Sequence, residues 1–180
     1  MASSGDEEGI SAAIDGFDVL TRIGFKWKVI SESELSGSFV VSNNSAQPFG
    51  VLHGGITAYV AESLASIGAQ LAANGARPAG VEMNVAHLQA VPYGHKVMVK
   101  AVPIRVGKRI QVWDVTFSME KKQIPYSTGT GEVETTAVAR LTLIAGLPHT
   151  EKSIPFQDQM STLAECLGNN KLKKVLSSKL

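Results

Sequence analysis

Cysteine is nearly absent: Cys166 stands alone in 180 residues. A single thiol builds neither an internal disulfide framework nor a multi-cysteine metal site, so a stapled mini-fold and a zinc ribbon are excluded, and a reducing intracellular compartment is the expectation. An excess of charge of one sign is missing too. Seventeen basic and sixteen acidic residues leave a net charge of +1, which supplies no field for nucleic acid and no general attraction to an anionic membrane. Long hydrophobic runs are lacking; no segment approaches the roughly 20 apolar residues of a bilayer span. The leading Met1 to Gly9 is small and acidic, unlike the basic, then apolar, start of a secretory signal or an arginine-rich transit peptide. What the chain does have is 44% apolar residues against 18% charged ones, enough for one ordinary domain with a sizeable core.

Residues 1–16 read as a disordered lead, 17–147 as the folded domain and 148–180 as a tail with at most one short amphipathic helix over Leu163 to Leu176. Between Phe17 and Val41, short apolar runs broken by Gly37 and several serines predict an opening turn followed by a strand or hairpin. Ser42 to Pro48 is a loop by composition. From His53 to Ala73, Ile56, Tyr59, Val60, Leu64, Ile67 and Leu71 recur every three or four residues and predict a helix. Interleaved alanines raise its propensity, and Asn74-Gly75 supplies a left-handed stop. Glu62 is its sole charge, so the helix is expected to be wrapped by a sheet or a partner.

Four strands are predicted after the helix: Val81 to Leu88, Lys96 to Val106, Arg109 to Met119 and Ala137 to Ala145, with a hairpin turn at Val106 to Arg109 and an extended loop over Glu120 to Thr136. Successive strands without helical crossovers require antiparallel pairing. The fold class is therefore α+β, an antiparallel sheet wrapped around one long central helix. On this pattern Trp113 and Phe117 belong to the core and are not a substrate platform.

Glu62 is the candidate for chemistry, because an unpaired carboxylate is costly to bury and is usually paired, neutralised or placed in a site; a solvent-facing position is the alternative. Ser66, four residues on, shares its face. His53-Gly54-Gly55 opens the helix, where backbone N–H groups and the positive end of the dipole can polarise a carbonyl oxygen that gains charge during acyl transfer; a flexible loop-to-helix turn explains the same glycines. His53 is expected to shape this turn. The four histidines have no metal-ligand spacing, so neither a metal nor any other cofactor is expected. Thr128-Gly129-Thr130-Gly131 lacks the lysine and following helix of a phosphate-binding loop.

The ordered set Gln47-Pro48-Phe49-Gly50-Val51-Leu52-His53-Gly54-Gly55, Glu62-Ser63-Leu64-Ala65-Ser66, Gly80 to Leu88 and Gly107-Lys108-Arg109-Ile110-Gln111-Val112-Trp113 resembles the hotdog-fold acyl-CoA thioesterases of the phenylacetic-acid-degradation and aromatic acyl-CoA type, over about Leu20 to Leu147. Within that family it is similar to the plant peroxisomal branch acting on 1,4-dihydroxy-2-naphthoyl-CoA in phylloquinone synthesis, departing at Ala86, where relatives often carry asparagine. The resemblance implies a hotdog fold and hydrolysis of an acyl-CoA to an acid and CoA. It implies Glu62 as the catalytic carboxylate, Gly54 as the donor to the thioester oxygen, Gln47 as a polar partner beside it, and Ser66 as a residue positioning water or Glu62, with His53 and Gly55 in the same turn. Glu62 could attack the carbonyl or deprotonate water. A medium- or long-chain fatty acyl-CoA is the alternative substrate. A dehydratase and a non-catalytic acyl-CoA-binding protein are the rival readings. CoA phosphates call for cations and N–H donors; Arg105, Lys108 and Arg109 around Gly107 are the candidates, with a solvated hairpin tip as the alternative.

Gly54 and Glu62 lie eight residues apart, about 12 Å along a helix and roughly 80° around it. A glutamate reaches only about 4–5 Å from its Cα. One chain therefore cannot readily bring both groups to one thioester, whereas an antiparallel second copy can, so a two-fold homodimer with two composite sites is expected. The resemblance extends this to a tetramer built as a dimer of dimers. The terminal Ser178-Lys179-Leu180 matches the peroxisomal import address, which makes the import receptor a further expected partner and the peroxisome the expected location.

Overall fold

The computed structural model describes residues 18–120 and 133–148. The lead over 1–16, the glycine-bearing segment Thr128 to Gly131, the tail beyond Pro148 with its helix over Leu163 to Leu176, and Ser178-Lys179-Leu180 lie outside the described residues. A short helix α1 (Asp18–Arg22) leads into the hairpin β1 (Lys26–Ile30) and β2 (Leu35–Val40), followed by the long helix α2 (Gly54–Ala72). Four strands complete the chain: β3 (Arg77–His87), β4 (Lys96–Val106), β5 (Ile110–Glu120) and β6 (Val133–Leu147). They form one six-stranded sheet in the order β1-β2-β4-β5-β6-β3, antiparallel at every pairing. This is the hotdog arrangement. No described helix is long and apolar enough to cross a membrane.

α2 crosses the sheet because the strands before and after it lie far apart: β2 is second in the order and β3 is the opposite edge. In passing, the helix packs on β2, β3, β4, β5 and β6. Its apolar stripe, with Val60, Leu64, Ile67 and Leu71 buried, meets the inward faces of the strands. Those faces follow the period of two: Val97, Val99 and Ala101 on β4, and Trp113, Val115, Phe117 and Met119 on β5, are all buried. Gly68 permits the closest approach, since a Cβ there would stand 2.5 Å from Trp113 Cη2 and 2.7 Å from Leu35 Cδ1. The helix ends as its sequence predicts, with Asn74 and Gly75 at φ 52° and 83°.

The larger departures from the sequence expectation are these. The opening turn includes α1. β3 begins at Arg77 instead of Val81, because an edge strand tolerates Pro78 and Gly80 where a central one does not. β6 begins at Val133, so Val133 to Thr136 belong to a strand and not to a loop. Polar residues and an irregular register conceal that strand start: Phe117 pairs with Ala137 while the next residue, Ser118, pairs with Thr135, leaving Thr136 as an extra residue in a bulge.

Candidate active site

The turn before α2 is built by backbone pairing. Gln47 N–H donates to Val51 O at 2.8 Å, Gly50 N–H donates to Gln47 O at 2.9 Å, and His53 N–H donates to Ser45 O at 2.8 Å. Gly50 has φ +74°, a conformation that glycine adopts without strain. His53 is the N-cap: its Nδ1 accepts the Gly55 N–H at 2.9 Å. His53 therefore shapes the turn, and the Gly55 amide is already engaged. The Gly54 N–H is not; it makes no hydrogen bond among the described residues. It lies at the positive end of the long helix, where an oxygen that gains negative charge is favoured.

Gly54 and Gln47 line one cleft of about 400 Å³, together with Thr57, His87 and Thr136. A Cβ on Gly54 would stand 3.1 Å from His87 Nε2, so the absence of a side chain lets the imidazole lie against the helix start. Glu62 and Ser66 line a different cleft of about 310 Å³, with Tyr59 and Arg77. Their shared helical face is thus realised, and the face points away from the sheet. Glu62 is exposed and makes no hydrogen bond or ion pair among the described residues. Its Oε1 lies beside β3, 3.3 Å from where a Cβ on Gly80 would be. In the single chain the carboxylate thus faces solvent, because no described element covers the outer face of α2.

Arg105, Lys108 and Arg109 are exposed around the β4–β5 turn, which closes through Gly107 N–H to Ile110 O at 3.0 Å. Gly107 is required there, since a Cβ would meet that carbonyl oxygen at 2.6 Å. None of these four residues lines either cleft. His87, Thr57 and Thr136 are cleft residues that sequence reasoning did not single out; only His87 carried a signal, as part of the Gly80 to Leu88 segment. Among the described residues no group of three His, Cys, Asp or Glu side chains converges as a metal would require.

The sequence pattern of the family described as Thioesterase superfamily matches residues 49–125, the stretch from the Gly50 turn through α2, β3, β4 and β5. The 1,4-dihydroxy-2-naphthoyl-CoA thioesterase 2 of Arabidopsis thaliana is 37% identical over 129 residues, covering 72% of this chain and 80% of that protein. The chain belongs to the hotdog thioesterase superfamily. It is a thioester hydrolase. A further relative within the superfamily is the 1,4-dihydroxy-2-naphthoyl-CoA hydrolase of Escherichia coli, 29% identical over 118 residues, which cover 65% of this chain and 85% of that one. Among solved hotdog thioesterases, HI1161 of Haemophilus influenzae superposes with a TM-score of 0.60 at 30% identity, covering 73% of this chain and 85% of that chain.

Proposed function

We propose that the protein hydrolyses aromatic acyl-CoA esters, with 1,4-dihydroxy-2-naphthoyl-CoA as substrate, and releases 1,4-dihydroxy-2-naphthoate and CoA for phylloquinone synthesis. The observation that carries the hydrolytic mechanism is the layout of α2, which bears an unengaged amide at Gly54 and an unpaired carboxylate at Glu62 in two separate clefts. The names of the relatives from Arabidopsis thaliana and Escherichia coli support the acyl group.

The two groups meet when two chains associate. β3 is an edge strand of 11 residues, and it exposes Val81 and Met83. A long, partly apolar edge is a template for pairing with another chain. Pairing two copies of β3 about a two-fold axis brings the helices antiparallel, with Glu62 of the partner subunit opposite Gly54. The Gly54 N–H then holds the thioester oxygen as it becomes an oxyanion. The carboxylate either takes a proton from water as the water oxygen bonds to the carbonyl carbon, or bonds to that carbon itself to give an anhydride that water opens. In both routes the carbon–sulfur bond breaks, and the CoA thiolate leaves and takes up a proton. Arg105, Lys108 and Arg109 supply cations for the CoA phosphates. Cofactor-free hydrolysis belongs to this proposal, as does a tetramer of two such dimers.

Free-thiol release from dihydroxynaphthoyl-, benzoyl- and medium-chain acyl-CoA tests the substrate; a preference for the medium-chain ester overturns the aromatic assignment. Glu62→Gln is expected to lower kcat about 10²-fold or more, with little change in Tm because the carboxylate makes no hydrogen bond or ion pair among the described residues. Gly54→Pro removes the proposed donor, and proline suits the first helical position. His53, at φ −73° and ψ 126°, already has the extended backbone that precedes proline. Each variant should be inactive alone, and equal mixing should restore about a quarter of wild-type activity through heterodimers with one intact site. No recovery after verified subunit exchange overturns site sharing. Charge reversal at Lys108 and Arg109 should raise KM. A peroxisomal location completes the proposal, since Ser178-Lys179-Leu180 is an import address when it ends a chain; removing Leu180 from a chain tagged at its amino end should abolish punctate import.

A further inference from the structure

Thr136 is 2% exposed, and its Oγ1 is buried with no hydrogen-bond partner among the described residues. Buried hydroxyls are almost always satisfied, so an exception calls for a cause. The backbone supplies one. Thr136 is the extra residue of the β6 bulge, between Thr135 opposite Ser118 and Ala137 opposite Phe117. Without a bulge, residues alternate between the two faces; here Thr136 and Ala137 are buried in succession while Thr135 and Val138 on either side are exposed. The bulge is pinned from β3's end, where Leu88 N–H and Gln89 N–H both donate to Thr136 O at 2.9 and 3.0 Å. The extra residue turns the threonine to the wall of the cleft that Gln47, Gly54 and His87 also line.

We infer that the Thr136 hydroxyl is a hydrogen-bonding contact for the acyl-CoA ester bound in this cleft, a residue of substrate recognition on the wall that β6 provides. Resting on the thioesterase function proposed above, this assigns a purpose to a polar group that the fold strands. A hydroxyl donates one hydrogen bond and accepts two, so it suits the oxygens and N–H groups of such an ester. Apolar Val51, Leu52, Val91 and Ala137 line the cleft beside polar Gln47, Thr57, His87 and Gln89, and a contact at the buried hydroxyl acts at low effective dielectric.

Thr136→Val tests it, because valine keeps the branched shape and removes only the hydroxyl. The expected results are an unchanged or raised Tm, a kcat/KM lower by about five- to tenfold, and a similar weakening in Kd for a non-hydrolysable phenacyl-CoA thioether measured by calorimetry. Thr136→Ser should recover both. A larger loss for ring-hydroxylated than for plain aryl esters places the contact on the acyl group, and an equal loss places it on the thioester or pantetheine; both support the inference. Unchanged kcat/KM and Kd in Thr136→Val overturn it, as does a lowered Tm, which would reveal a structural partner. If wild type releases no thiol yet binds the thioether more tightly than Thr136→Val does, the hydrolase proposal fails while the contact stands. If wild type binds neither ester nor thioether, both fall.

Discussion

The two ends of α2 are held by opposite means. At the carboxyl end buried side-chain amides are tied to the backbone and to the Trp113 indole. Gln111 Nε2 donates to Ala69 O at 3.0 Å while its Oε1 accepts from Trp113 Nε1 at 3.0 Å. Gln70 Nε2 donates to Gly75 O at 3.3 Å, and Gly75 N–H donates back to Gln70 O at 2.8 Å. Gln70 and Gln111 are each 1% exposed. The amino end leaves groups unspent: the Gly54 N–H on the helix itself and Thr136 Oγ1 across the cleft. One end is anchored because its buried amides are engaged, and the other can bind because donors and acceptors there are not.

Filling the anchored end should have the largest effect. Gly68→Ala puts a methyl 2.5 Å from the ring of Trp113, which is 0% exposed and has no room to withdraw. Overpacking on this scale costs about 3 kcal/mol, to be read from denaturant midpoints. A loss below about 1 kcal/mol would mean that α2 can shift on the sheet and that its far end is no anchor. Gln111→Leu should cost less, about 2 kcal/mol: the Trp113 N–H loses its acceptor, whereas Ala69 O still receives the Ala73 N–H at 3.0 Å. Activity of the folded fraction should survive, because neither cleft residue Gly54 nor Glu62 loses a partner.

The open end is set by a weaker device. His53→Ala removes the cap on Gly55 N–H and should cost about 1 kcal/mol. His53→Asn, which restores a capping acceptor, should recover both stability and turnover. If stability returns without turnover, the imidazole meets the substrate directly and the contrast between the two ends needs redrawing.

The same contrast separates what the sequence discloses from what it conceals. The anchored end was legible because packing leaves a periodic trace: the three-to-four spacing from Ile56 to Leu71 marked the helix, Asn74-Gly75 its stop, and alternation placed β4 at Lys96–Val106. Alternation alone assigns Trp113 and Phe117 to the core, where both are fully buried. Glu62 was visible as a lone charge, and its neighbour Ser66 by helical arithmetic. Its exposure in one chain stands in the sequence only as an alternative to burial, since the sequence of a helix cannot say which face other elements will cover. Thr136 left no trace at all: a bulge adds a residue out of period, and only the pairing of distant strands shows that the residue turns inward. His87 likewise reaches Gly54 through β3's place at the sheet edge, a consequence of topology and not of local pattern.

The smallest effect belongs to polar contacts that remain in water, which calibrate the buried ones. Lys100 Nζ lies 2.8 Å from Glu34 Oε2, with the two side chains 56% and 31% exposed. The Lys100 hydrogen bond, aided by Ser36, holds the Glu34 carboxyl below its ordinary value. A depressed carboxyl stabilises the fold at pH values above the unfolded-state pKa, and that contribution fades as pH falls through the folded value. Lys100→Ala should therefore cost about 0.5 kcal/mol at pH 7, and the difference from wild type should shrink as the solution is acidified through the carboxylate range. Added salt at pH 7 should shrink it as well. If Lys100→Ala instead costs as much as Gln111→Leu, burial is not what makes the carboxyl end of α2 firm. The distinction between a saturated end and an open one would then rest on chemistry common to the whole surface.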